Sequence, residues 1–416
     1  MRETADVAIV GAGIVGMSSA YELARRGAGR VVVLEKNSPA TGTTGGSAGV
    51  ICPVDLGEIY ALMNLAGYAR IKQLERDSGL GFHGWGNLNP IYEPAPFPPG
   101  PDPYAQRFGG DDPRGIYANE ILEAGEMLRR FPWISAESRD GRRLLGGVWY
   151  RNQGFINPYE LVSVYERLAA RVEVRRNTPV LEMRRSGDRI QTLVTRRGPI
   201  DVGLVLNAGG PWGAKVAAMA SSSVRVIPQR IQVCVATAFD DGVGEAPLTG
   251  VPERVQGHGV WSRGEVGGTL LFGQHHHTSL PGVTDDPDFV NRINDPDYPD
   301  AVAKVYRRWW NLPNSRFLNG WCCVYGTTED GYPVLSRDTE VSNLYHALGM
   351  NGHGIIMHAA VSMAMTRLML DGSTSVDLGP EAGHPETLDI GRLDMDRFSR
   401  GELLTFDLKV DDLKPR

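Results

Sequence analysis

An apolar run, three spaced glycines and an acid near the N-terminus constrain this chain more than any other feature. The stretch is Asp6-Val-Ala-Ile-Val-Gly-Ala-Gly-Ile-Val-Gly16, followed by Val31-Val-Val-Leu-Glu35. Val7 to Val10 is β-branched and is cut off by glycine too soon for a helix, so it predicts a buried parallel strand. Gly11 permits the tight turn that leaves it. Gly13 removes the Cβ that would block a pyrophosphate, and Gly16 lets the next helix pack close to the sheet. That helix is expected over Ile14 to Arg26, with Gly27 as its terminator. Its first turn, at Ile14 and Val15, aims free N–H groups and the positive dipole end at phosphates. Val31 to Leu34 predicts the second strand. Glu35, 24 residues after Gly11, can accept hydrogen bonds from ribose hydroxyls and would repel a 2′-phosphate, which disfavours NADP.

The chain of 416 residues predicts two domains, and 42% hydrophobic residues suffice for a core. The net charge of −6 is scattered, with no basic block for nucleic acid or an anionic membrane. No apolar stretch reaches bilayer length. The first strand begins too near Met1 for a signal peptide, so the expected location is cytoplasmic. Cys52, Cys234, Cys322 and Cys323 lack zinc spacing and fit a reduced compartment. His275, His276 and His277 would alternate across a strand with no acidic partner nearby, so no metal is expected.

The remaining pattern predicts an α/β chain. Small residues over 41–50 form a loop that lets backbone approach a flat ligand. Helices are expected over 56–79, 158–170 and 355–370. Strands are expected within 172–183, at 189–195, 200–206 and 344–349, and as a largely antiparallel sheet over 224–275. Residues 94–115, rich in Pro, Gly and Asp, read as a surface loop or lid.

Five segments then occur in a telling order: the N-terminal unit, Gly146-Gly with Gly154-Phe-Ile-Asn-Pro158, Asn207-Ala-Gly-Gly-Pro-Trp212, Thr328-Glu-Asp-Gly-Tyr-Pro333 and Gly349-Met-Asn-Gly-His-Gly354. Together they resemble the D-amino-acid oxidase/sarcosine oxidase superfamily, in its sarcosine oxidase-like branch. The resemblance implies FAD and a Rossmann-type FAD-binding domain with a second mixed or antiparallel-sheet substrate domain. It implies 1–90, 145–222 and 320–380 for the first, 91–144 and 223–319 for the second, and 381–416 as a tail. The implied cofactor contacts are Gly11, Gly13, Ile14, Val15, Gly16, Glu35, Lys36, Thr43, Thr44, Ser47, Ala48, Val180, Ala208, Gly209 and Trp212. At the flavin they are Asn351, Gly352, His353, Gly354 and Ile355. Cys323 aligns with a cysteine that some relatives join to the flavin 8α-methyl, so both a covalent and a free FAD stay open.

The implied reaction is oxidation of a C–N bond of an amine or amino acid, hydride passing from the α-carbon to flavin N5 to leave an imine. His275 and His353 are the side-chain candidates for catalysis. The chain also departs from sarcosine oxidases. Leu271 replaces an oxygen-activating lysine, and Ile356 replaces a carboxylate-binding lysine. Oxygen and another electron acceptor therefore both stay open. So do a larger nitrogen-containing biosynthetic substrate, a role as one subunit of a multi-component dehydrogenase, and a homo-oligomer. Arg230, Arg263 and Arg337 are the replacement cations to examine.

Overall fold

The computed structural model describes residues 3–53, 57–100, 114–237, 243–255, 258–274, 286–379 and 386–405. Two large sheets organise them. In the first, strand Glu3–Val10 lies between Val31–Leu34 and Gly198–Asn207, parallel to both. Glu173–Arg175 extends it beyond Val31–Leu34. Strand Gly198–Asn207 shares its far edge between two partners. Its first half pairs antiparallel with Arg189–Thr195, and its last three residues pair parallel with Leu344–Leu348.

Alternation along these strands explains the core. Val7, Ile9, Val31 and Val33 join helices Ile14–Arg25, Glu58–Ser78, Pro158–Leu168 and Gly354–Asp371 in one cluster. Ala8, Val10, Val32 and Leu34 join Met183, Ile190, Leu193 and Val216 in another. The helices begin and end within two residues of the expected bounds, because their caps are local. Gly79 and Gly372 terminate two of them at φ of 69° and 70°, where glycine carries no Cβ penalty.

The second sheet runs in the order 316–327, 227–237, 269–274, 258–265, 248–255, 87–92, 144–150, 120–123. Helix Tyr298–Trp309 packs on it, with Trp309 and Trp310 in its core. Two expected boundaries, 145 and 320, fall inside strands of this sheet. Strand Arg316–Thr327 pairs with Ile227–Thr237 along its length, so ladder hydrogen bonds hold both of its halves in one sheet. Among the described residues no helix is long and apolar enough to cross a membrane.

Candidate cofactor and active site

The first site element is the turn after Val10. Gly11 sits at φ +108°, and a Cβ there would lie 2.6 Å from Ala208 O. A Cβ on Gly16 would lie 2.0 Å from Gly11 O. Gly11 is therefore required by contact and by conformation, and Gly16 by contact alone. The helix they open has no side-chain N-cap and no acid in its first turn. Its Ile14 N–H donates to Thr44 Oγ1 at 3.1 Å, which ties the 41–49 loop to the turn. Glu35 accepts from Ala12 N at 2.9 Å and from Asn37 N at 2.8 Å.

A cavity of about 440 Å³ lies at the carboxyl ends of these strands. Its wall takes in Leu34, Val10 and Leu348, which end three parallel strands, and Ala208, which follows a fourth. At a strand spacing of about 4.8 Å it spans roughly 15 Å. That is the position at which open α/β sheets bind ligands. Glu35, Lys36 and Val180 line one end. Gly11, Gly13, Ile14, Val15, Thr43, Thr44, Ser47, Ala208, Gly209 and Trp212 line its course, and Gly352, Gly354 and Ile355 the other end. A glycine-floored groove with a carboxylate at one end and two helix starts along it fits an extended dinucleotide.

The far end is built by the turn before helix Gly354–Asp371. Asn351 and Gly352 have φ of 49° and 87°. Asn351 accepts from Thr328 N at 2.9 Å and donates to Gly349 O at 2.5 Å, so its side chain braces the turn. Tyr325 packs against Gly352, where a Cβ would lie 2.6 Å from its ring. The helix start has no side-chain cap and no acid in its first turn.

Several expected residues stand behind the wall and do not line it. His353 turns its ring edge-on to Tyr60, at 5.6 Å between centroids. Gly16 lies within helix Ile14–Arg25, on the side packed against Gly11 O. Ala48 O accepts from Arg263 Nε at 2.7 Å. Cys323 donates to Gly46 O at 3.4 Å, Trp321 Nε1 donates to the same oxygen at 2.9 Å, and Thr43 Oγ1 donates to Val324 O. Burial pushes the Cys323 thiol up to about 12. Cys322 faces the other way, toward Arg230 and Ile293 O. His275 lies outside the described residues.

The replacement cations are engaged elsewhere. Arg230 pairs with Asp295, Arg263 with Glu265, and Arg337 donates to Ser342 O. Ile356 is buried, and Leu271 is buried between Val235 and Arg263. Among the described residues, the cations that line the cavity are Lys36, Lys215 and Arg292. Lys215, Asp288, Arg292 and Tyr325 were missed in the sequence. Alternation from Cys323 would have placed Tyr325 on the same strand face.

The family model described as DAO, FAD dependent oxidoreductase, matches residues 6–368. Glycine oxidase of Geobacillus kaustophilus (strain HTA426) is 25% identical over 91% of this chain and 97% of its own length. The mitochondrial dimethylglycine dehydrogenase of Homo sapiens is 24% identical over 91% of this chain but only 44% of its own length. The chain thus spans about half the length of some curated relatives it matches. L-proline dehydrogenase from P. horikoshii shares the fold, with a TM-score of 0.77 at 21% identity over 97% of this chain and 100% of that one.

Proposed function

The chain belongs to the DAO family of FAD-dependent oxidoreductases, and on that premise we propose that it oxidises the C–N bond of an amine or amino acid. One observation carries this reading. A single cavity runs from the Glu35 carboxylate, past the glycine turn, to the uncapped start of helix Gly354–Asp371. When bound, FAD supplies the two-electron acceptor for a hydride leaving the carbon next to nitrogen, and water hydrolyses the resulting imine.

The chain's own residues position and bias this chemistry. Gly11, Gly13, Ile14 and Val15 would hold the phosphates, Glu35 and Lys36 the ribose end, and Val180 the adenine. The start of helix Gly354–Asp371 brings N–H dipoles and no carboxylate to the far end, which favours negative charge there. Leu348, Met350 and Ile355 keep that end apolar. Among the described residues, the carboxylates lining the cavity are Glu35 and Asp288, both at the ribose end. No described acid is therefore placed to take a proton from an ammonium substrate, and the amine enters as its free base. Burial pushes the Tyr325 phenol above its usual value, so it stays protonated and can orient a substrate by hydrogen bonding.

The test is anaerobic. Amines from small N-methyl amino acids to large cyclic amines are mixed with the flavoprotein, and loss of the visible flavin band is followed. Bleaching is expected to speed up as pH rises through the amine's own pKa. If no amine bleaches the flavin at any pH, the reading fails. With Leu271 in place of a cation, we take the acceptor to be other than oxygen. A reduced sample should reoxidise faster with a dye than with air.

We further propose that FAD is bound without a covalent link. Joining Cys323 to the flavin requires its thiolate, whereas burial holds this thiol protonated and Gly46 O takes its hydrogen bond. Acid precipitation is expected to give a colourless pellet and FAD in the supernatant. A yellow pellet would assign Cys323 to a thioether.

A further inference from the structure

Three donors around the Glu35 end of the cavity converge on one carboxylate from a distant part of the chain. Asp288 Oδ1 accepts from Lys36 Nζ at 2.7 Å and from Trp212 Nε1 at 2.6 Å. Its Oδ2 accepts from Lys215 Nζ at 2.8 Å. Lys215 also donates to Asp286 at 2.6 Å, and Lys36 lies 3.8 Å over the Trp212 ring. Asp288, Lys36, Trp212 and Lys215 all line the cavity.

The two ends of this segment are held by different forces. Its later part is rooted in the second sheet. Arg230 donates to Asn291 O at 3.0 Å and to Ile293 O at 2.7 Å. Buried Asn294 donates to Val233 O at 3.2 Å and accepts from Gly320 N at 2.7 Å. Asp295 N donates to Gln232 at 2.8 Å, and Cys322 N to Arg292 O at 3.0 Å. The Asp286–Asp288 end instead meets the first sheet through ion pairs whose side chains are 36–42% exposed. Such pairs are screened by salt. The large apolar side chains of this segment do not seal it, since Phe289 is 86% exposed and Ile293 65%. Within residues 286–295, hydrogen bonds thus hold the later part and ion pairs the earlier part.

We propose that residues 286–295 are a strap across the cofactor cavity, and that Asp288 latches it shut, so that the strap must lift before FAD enters or leaves. This rests on the reading that the cavity holds FAD. At the ribose end a carboxylate could accept from hydroxyls, as Glu35 would, but both Asp288 oxygens already accept from the chain's own donors. The place of Asp288 between two lysines and an indole N–H suits holding the strap.

The test follows FAD uptake by flavin-free protein and FAD release from holoprotein, read by flavin fluorescence. A Cys323→Ala background prevents any thioether. Asp288→Ala and Lys215→Met are each expected to speed both uptake and release about tenfold, with Kd moving less than about threefold. Added salt should speed both steps in the parent and do little in Asp288→Ala. Unchanged rates in both variants would overturn the latch. So would faster release with unchanged uptake, because that marks Asp288 as a cofactor ligand. Failure of the parent to take up FAD would overturn the cofactor reading itself, which the two kinetic outcomes leave intact.

Discussion

A chain carrying Gly67→Ala is expected to lose most of its folded, flavin-binding form. Gly67 lies inside helix Glu58–Ser78, where propensity alone would favour alanine. Its backbone, however, crosses the first turn of helix Gly354–Asp371. A Cβ at position 67 would lie 1.5 Å from Ile356 O and 2.7 Å from its carbonyl carbon. Backbone on both sides leaves no flexible side chain to yield, so one helix must move. The helix that moves carries Gly354 and Ile355 at the cavity wall. Overpacking of this kind costs about 3 kcal/mol or more. Thermal melting and flavin content of the purified protein check it together. Gly125→Ala is the control, since nothing lies within 4 Å of a Cβ there and the site is exposed. It should be neutral or slightly stabilising. A Gly67→Ala protein that melts with the parent and keeps its flavin would contradict the packing argument.

Arg397→Met should destabilise the protein by about 3–5 kcal/mol near neutral pH. Arg397 is 1% exposed and forms a two-pronged pair with Asp330, at 2.8 and 3.0 Å. It also donates to Tyr332 O at 2.8 Å and Leu393 O at 3.1 Å. Methionine fills similar space but leaves the buried carboxylate without a cation, with the Tyr332 and Leu404 N–H groups still donating to it. Burial by itself opposes ionisation of Asp330, but Arg397 holds its carboxyl below the usual range. In the parent, this contribution is present above the unfolded value of about 4 and is lost as pH falls through the depressed folded value. In the variant, burial without a cationic partner is expected to raise the folded value, so stability is lost as pH rises above about 4. The two stability–pH curves should therefore slope in opposite directions in mild acid. Urea unfolding at several pH values checks this. A cost under about 1 kcal/mol at pH 7 would mean that water or another group compensates Asp330.

Sequence legibility follows how local the physics is. The turn at Gly11, Gly13 and Gly16 could be read because backbone contact and conformation admit little else. Glu35 was legible for the same reason, since strand length fixes where the second strand ends. Helix Gly354–Asp371 announced itself through its glycine turn. The direction of His353 did not, because it depends on Tyr60 from a helix nearly three hundred residues earlier in the chain. Strand Arg316–Thr327 was harder still. Its side chains reach the 41–49 loop, while its hydrogen bonds belong to the second sheet, and no periodicity distinguishes those two allegiances. Asp288 and Lys215 carry no signal at all. They are ordinary surface-type charges until the fold brings them within 2.8 Å. Arg397 likewise falls within the 381–416 tail, and its partner Asp330 is fixed only by tertiary packing.

The shared edge of strand Gly198–Asn207 has a consequence for the order in which the molecule is made. Its first half finds Arg189–Thr195 immediately upstream, as a local hairpin. Its last residues, which lead into the cavity wall at Ala208 and Gly209, wait for Leu344–Leu348. Contacts this distant in sequence close slowly. On the ribosome the ribose end of the groove can form early, but its far wall cannot exist until most of the second sheet has been synthesised. The binding groove thus closes late in synthesis, and cofactor capture reports that Leu344–Leu348 has docked.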